Sequence, residues 1–168
     1  VSTERRYFSV VSNLEEDTAG LGETLARRCA GGTIIALDGG LGAGKTVFTK
    51  GFARGLGIQQ EITSPSYAII QEYEGSPGLV HMDWYRMGGE DELLQIGVEE
   101  YFTEDSIVLI EWASRAPELL PDRSITITLE IQKESTQRQL TLSIPVTAPE
   151  RILSWAGEPL GEVRDADA

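Results

Sequence analysis

From residue 14 to residue 29 the apolar positions recur at helical spacing: Leu14, Ala19, Leu21, Leu25, Ala26 and Cys29. Glu15, Glu16 and Asp17 stand at the start, where negative charge favours the helix dipole, and Gly31-Gly32 stops the pattern. Thr33 to Leu37 is a continuous apolar run, which predicts a strand covered on both faces. A glycine-rich turn follows, then a second helix from about Lys45 to Gly55, closed by the glycines at 55 and 57. Tyr67–Tyr73 and Leu79–Asp83 have β character and are separated by Gly75-Ser76-Pro77-Gly78, the pattern of a hairpin with a loop. Glu90–Phe102 reads as a short helical region interrupted at Gly97. Ile107–Ile110 is a second buried-type strand that ends on Glu111-Trp112. Ser124–Ile131 and Gln139–Ile144 alternate apolar with polar, as a hairpin with one wet face does. Val1 to Leu14 is polar and carries Arg5 and Arg6, with no apolar segment of a secretion signal behind it. After Pro149 the chain turns polar and acidic, with one helical turn around Ile152–Trp155. The prediction is a single α/β domain over 1–148, with a mixed parallel and antiparallel sheet flanked by helices, and an acidic tail over 149–168.

Composition narrows the function. A chain of 168 residues holds one domain. Acidic residues outnumber basic ones 27 to 14, for a formal net charge of −13. So negative a surface repels phosphate backbones, so work on a nucleic acid calls for a partner that holds it. One cysteine excludes an intramolecular disulfide, and one histidine, His81, excludes a multi-histidine zinc site. No run approaches a membrane span, and the expected location is the cytoplasm.

Residues 39–46 read Gly-Gly-Leu-Gly-Ala-Gly-Lys-Thr and satisfy G-x-x-x-x-G-K-[ST], between a buried strand and a helix. Gly39, Gly40, Leu41, Gly42, Ala43 and Gly44 are the backbone that lets successive N–H groups converge on a phosphate, and the helix N-terminus adds partial positive charge. Lys45 is placed to reach the β- and γ-phosphates and the Thr46 hydroxyl to ligate Mg²⁺. This is the loop of a P-loop NTPase. A dinucleotide fingerprint fits less well, because Gly40, Gly42 and Gly44 are spaced G-x-G-x-G. A guanine-specific N-K-x-D motif is absent, since Asn13 is the only asparagine, so ATP is the expected nucleotide.

Such a loop works with a carboxylate at the end of a nearby strand. Asp83 and Glu111 both end apolar runs, the second cleaner. Thr63-Ser64-Pro65-Ser66-Tyr67 is either a switch-like loop offering hydroxyls or a turn entering a strand. Arg86 and Arg115 follow the two acids and read as surface or ion-pair residues more readily than as arginine fingers. Trp112 either packs on the site or fills core, the second reading favoured, and His81 reads as a packed, hydrogen-bonded histidine rather than a general base.

Taken in order, Gly39–Thr46, Thr63-Ser-Pro-Ser-Tyr67, His81-Met-Asp-Trp-Tyr-Arg86 and Glu111-Trp112 resemble the bacterial TsaE (YjeE) family over about residues 14–145. That family is the small ATPase of the tRNA threonylcarbamoyladenosine pathway. The resemblance implies ATP and Mg²⁺ binding and weak hydrolysis alone. It also implies work with the TsaD–TsaB pair in modifying adenosine 37 of tRNAs that read codons beginning with A. By position it makes Lys45, Asp83 and Glu111 catalytic, and Thr46, Asp83 and Glu111 the metal group. It places Thr18 near the adenine and Arg138 in the ATP site. The acidic charge fits a subunit that docks on its partners and meets tRNA only through them. Two positions depart from the family pattern. Gly40 stands where the family usually has Asp, which removes a carboxylate near the γ-phosphate and predicts slower hydrolysis or more reliance on Glu111. Ser66 stands for the commoner Thr.

Two other function classes compete. A small-molecule P-loop kinase shares the loop but carries an Arg-rich lid, whereas the eleven arginines here are scattered. A nucleotide-dependent binding module without turnover is the other.

Overall fold

The computed structural model describes residues 4–65 and 67–157, so Ser66 and the end of the expected tail, 158–168, lie outside it. Seven strands form one sheet in the order β1-β7-β6-β2-β5-β4-β3. Its centre is parallel: β6 (Ile125–Ile131), β2 (Ile34–Gly39), β5 (Ser106–Glu111) and β4 (Gly78–Asp83). The flanks are antiparallel: β3 (Ile70–Tyr73) pairs with β4, β7 (Arg138–Pro145) with β6, and β1 (Arg5–Ser12) with β7. No described helix is long and apolar enough to cross a membrane.

The continuous apolar runs are explained by coverage on both faces. Ile35 and Leu37 of β2, with Ile107 and Leu109 of β5, join one core with helices α1 (Glu15–Ala26) and α2 (Lys45–Gly55). Ile34, Ala36, Val108 and Ile110 point the other way, into a second core around Trp84 and Leu93. Leu93 belongs to α3 (Glu90–Gln95), which a 3₁₀ turn at Val98–Tyr101 follows after Gly97. Helices α1 and α2 lie so close that a Cβ on Gly22 would meet the backbone of Phe48, and one on Gly51 the backbone of Ala19. This approach sets α2, and the loop that precedes it, against the sheet.

Two expectations change. The polar start is a strand, β1: Phe8, Val10 and Ser12 turn inward while Tyr7 and Val11 stay exposed. Apolar residues on both faces hide its alternation. Arg5 fastens it by donating to Ser143 Oγ at 2.6 Å and to the carbonyls of Ser124 and Ser143. At the other end, the packed structure runs past residue 148. Residues Glu150–Gly157 form helix α4, which buries Ile152, Leu153, Trp155 and Ala156 in the first core. The Trp155 indole N–H donates to Thr24 Oγ1 of α1 at 3.0 Å. Four inward residues within two turns are too short a run to stand out in acidic surroundings. A smaller shift affects β3, which starts at Ile70, because Ile69 takes φ of +69° and Tyr67 lies in a turn.

Candidate functional site

Strands β2, β4 and β5 are parallel neighbours, so their carboxyl ends meet along one edge of the sheet, where ligands bind in α/β folds. A cleft of 480 Å³ opens there. Leu41, Gly42, Ala43, Gly44, Lys45 and Thr46 line it together with Thr18, Arg138, Asp83 and Glu111. Gly39 and Gly40 are not in the lining; their carbonyls hold the lysine.

The loop needs its glycines. Gly39, Gly42 and Gly44 take φ of +155°, +76° and +106°, where a side chain is strained. At Gly39 a Cβ would also strike the Leu129 carbonyl at 2.7 Å. Gly40 differs: its φ lies outside that region and nothing comes within 4 Å of a Cβ built there.

Lys45 opens α2 and is buried. Its ammonium donates to the carbonyls of Gly39 (2.6 Å) and Gly40 (2.8 Å) and stands 4.2 Å from the centroid of the Trp112 ring. Burial pushes its pKa below the usual lysine value, and the charges of Glu111, Asp38 and Asp83 pull partly back. A cation that is partly desolvated and surrounded by carboxylates is poised for an anionic ligand.

The parallel register sets Asp83 opposite Glu111. Asp83 accepts from the Tyr85 N–H at 2.9 Å and from Ser64 Oγ at 3.2 Å. Glu111 is buried, and its Oε2 lies 2.6 Å from Nε2 of His81, itself fully buried. The Thr46 hydroxyl, Ser64, Asp83 and Glu111 share the cleft, an all-oxygen set of the kind hard divalent cations take. No described cluster of three or more His, Cys, Asp or Glu side chains is arranged to hold a metal alone. The set therefore fits a cation that also takes phosphate oxygens, as Mg²⁺ does, with one or two carboxylates from the protein.

Thr18 is buried beside the loop, its hydroxyl 2.6 Å from Ser12 Oγ. Ser12 in turn donates to the Leu14 carbonyl. Arg138 reaches across from β7. Its Nε donates to the Ala43 carbonyl at 2.9 Å, and one terminal nitrogen donates to the Gly42 carbonyl at 3.2 Å. The other donates to the carbonyls of Ser135 and Gln137. Arg138 lines the cleft, yet its donors are directed at backbone oxygens.

Arg86 lines the cleft with its guanidinium 4.4 Å from the centroid of the Tyr67 ring. Arg115 is not in the lining and lies over Tyr85, 5.3 Å from the ring centroid. Trp112 lines the cleft while packing against the second core, 4.7 Å from Tyr85 between centroids, with φ of +58°. Its N–H donates to the Leu37 carbonyl at 3.0 Å, which ties this turn to β2. The sequence reading passed over Asp38 and Tyr85. Asp38 accepts the Ser114 N–H at 3.0 Å and so links the end of β2 to the turn after Glu111. Its signal was a carboxylate directly after a buried strand, the same signal that marked Asp83 and Glu111.

Comparison with known proteins identifies the family. A family model described as "Threonylcarbamoyl adenosine biosynthesis protein TsaE" matches residues 12–140. The chain is 38% identical to the tRNA threonylcarbamoyladenosine biosynthesis protein TsaE of Treponema pallidum over 79% of its own length and 98% of that protein's. It is 41% identical to the protein of the same name from Bacillus subtilis, over 76% of this chain and 80% of that one. The crystal structure of Bacillus subtilis YdiB superposes with a TM-score of 0.76 at 32% identity, covering 97% of this chain and 99% of that chain. With its family-specific stretch running from the end of β1 into β7, the chain belongs to the TsaE family.

Proposed function

We propose that this protein binds ATP with Mg²⁺ and hydrolyses it, weakly alone and faster on a TsaD–TsaB complex. In this reading it is the ATPase subunit required for threonylcarbamoylation of adenosine 37 in cytoplasmic tRNAs that read codons beginning with A. The observation that carries it is the buried Lys45 ammonium, held by two carbonyls of a glycine loop in a cleft that Asp83 and Glu111 also line.

The chain's own groups divide the work. The backbone from Gly39 to Gly44 and the N-terminus of α2 cradle the β- and γ-phosphates. Lys45 leaves the loop carbonyls for phosphate oxygens. Thr46 and Asp83, with Glu111 beside them, would hold Mg²⁺, which would supply positive charge against the phosphates. Glu111, which lines the cleft, orients the attacking water and accepts its proton. Thr18 packs at the end of the loop that faces the adenine. Arg138 braces Gly42 and Ala43 from outside. Net charge of −13 suits a subunit that leaves tRNA to its partners.

Phosphate release from ATP, measured with and without TsaD–TsaB, tests this reading. Stimulated release supports it. Transfer of phosphate to a metabolite would make the protein a small-molecule kinase, and ATP binding with no release in either condition would make it a binding module. Glu111→Ala is expected to cut turnover more than nucleotide affinity, the mark of a role in the transition state. Equal losses would leave Glu111 only a ground-state ligand.

A further inference from the structure

His81 takes no part in the scheme above, yet it is the most enclosed titratable side chain at the site. It sits on β4 with no exposed surface, between Val80 and Met82, which point into the opposite core. The parallel register pairs His81 with Leu109 and Asp83 with Glu111. Alternation along both strands then brings His81 and Glu111 to the same face, as diagonal neighbours one step apart. Their side chains meet at 2.6 Å, Nε2 to Oε2.

The hydrogen-bond inventory decides which nitrogen carries the proton. A carboxylate oxygen only accepts, so Nε2 must be the donor. Nδ1 is buried and has no partner among the described residues. With Nε2 the donor, a neutral ring leaves Nδ1 bare, whereas a proton there would add a buried donor with nothing to receive it. The ring therefore carries its hydrogen on Nε2. Of the two Glu111 oxygens, Oε2 is the one held by a hydrogen bond among the described residues, which leaves Oε1 as the oxygen available to the cleft that Glu111 lines.

We propose that His81 is a positioning residue: its Nε2–H fixes the Glu111 carboxylate in one rotamer and assigns Oε1 to the attacking water. The imidazole never meets nucleotide or water. It acts as the outer partner of a reacting carboxylate, the kind of contact whose loss costs about tenfold to a hundredfold in activity at sites of this construction. The catalytic half of this inference rests on the ATPase reading; the hydrogen-bonded pair does not.

Two experiments test it. The chain holds a single histidine, so untagged, histidine-labelled protein without nucleotide or metal gives one imidazole in a long-range ¹⁵N–¹H spectrum. The expected spectrum shows a protonated Nε2, a bare Nδ1 and a downfield Nε2 proton that moves upfield in Glu111→Gln, where a neutral acceptor replaces a charged one. A proton on Nδ1, or an Nε2 proton indifferent to Glu111→Gln, overturns the pair. In steady-state ATP hydrolysis with partners present, His81→Leu is expected to lower kcat about tenfold or more with ADP affinity nearly unchanged, while His81→Gln, which keeps an N–H donor, restores most of it. A His81→Leu protein that melts like wild type and turns over at the wild-type rate overturns the positioning role. So does parallel loss of kcat, ADP affinity and melting temperature in both variants. No hydrolysis by the wild-type protein would overturn the ATPase reading and the catalytic purpose of His81 with it, and the imidazole spectrum would still decide whether the pair exists.

Discussion

The Lys45 ammonium lies 4.2 Å from the centroid of the Trp112 indole while donating to its own loop at Gly39 and Gly40. The charge that would meet a phosphate is thus held by two carbonyls and an aromatic face. A polyphosphate that draws Lys45 away changes the surroundings of one indole in particular. Trp84 and Trp155 are buried in the two cores, whereas Trp112 forms the cleft wall. Adding ATP or ADP is expected to shift tryptophan emission, and Trp112→Phe to abolish the shift. A nucleotide response that survives in Trp112→Phe would mean that the lysine does not leave the ring.

Lys45→Ala is expected to weaken triphosphate binding by about 1.5–3 kcal/mol, the worth of a hydrogen bond to a charged group, with little change in folding. Calorimetric titration checks it. The lowered pKa of Lys45 adds a pH signature. Phosphate binds the charged form and restores the proton, so affinity falls as pH rises through the depressed free-state pKa, below the ordinary lysine range, and binding there takes up a proton from buffer. Lys45→Arg keeps its charge throughout and should flatten that fall.

Gly40→Asp installs the residue usual in the family. Open space surrounds a Cβ at this position and its backbone is not left-handed, in contrast to Gly39, Gly42 and Gly44. Thermal denaturation should change by no more than about 0.5 kcal/mol, as for an ordinary surface substitution. Partner-stimulated turnover should rise, because in the proposed reading a carboxylate returns beside the γ-phosphate. A slower variant would show that Glu111 needs no such help.

Cutting the chain after residue 148 removes α4. Ile152, Leu153 and Trp155 are nearly inaccessible to solvent, and each contributes roughly 1.5–3 kcal/mol by burial. Their sum is comparable with the whole net stability of a domain, about 5–15 kcal/mol. The truncated chain should melt far below the full one or fail to fold. A chain cut after Gly157 keeps all of these contacts and should melt well above the chain cut after residue 148.

What the sequence disclosed follows from how far each element carries its own signal. β2 and β5 are covered on both faces and read as unbroken apolar runs; the glycine loop has a fixed pattern; and Asp83 and Glu111 are acids at the ends of such runs. Elements that depend on distant partners were harder to see. β1 owes its place to β7, more than a hundred residues away, and to Arg5, whose bonds go to Ser124 and Ser143. α4 is helical because α1 offers it Thr24 and an apolar bed. Asp38 gains its importance from the Ser114 N–H, and nothing local to Trp112 decides between core and cleft, since its ring serves both. The pairing of His81 with Glu111 needed the strand order, which no local pattern contains.

The guanidinium of Arg138 spans Gly42 and Ala43 with separate nitrogens and grips Ser135 and Gln137 with a third. Two peptide units of the loop are thereby immobilised by a strand on the antiparallel flank before any anion arrives. Folding, rather than ligand capture, absorbs the loss of loop freedom, and the cradle meets its guest already shaped. A lysine at 138 would keep the net charge but, as a single point donor, could not bridge neighbouring carbonyls in one rigid plane. The loop would then relax although no ionic count had altered, so at this corner of the molecule geometry, not charge, sets the stiffness of the cradle.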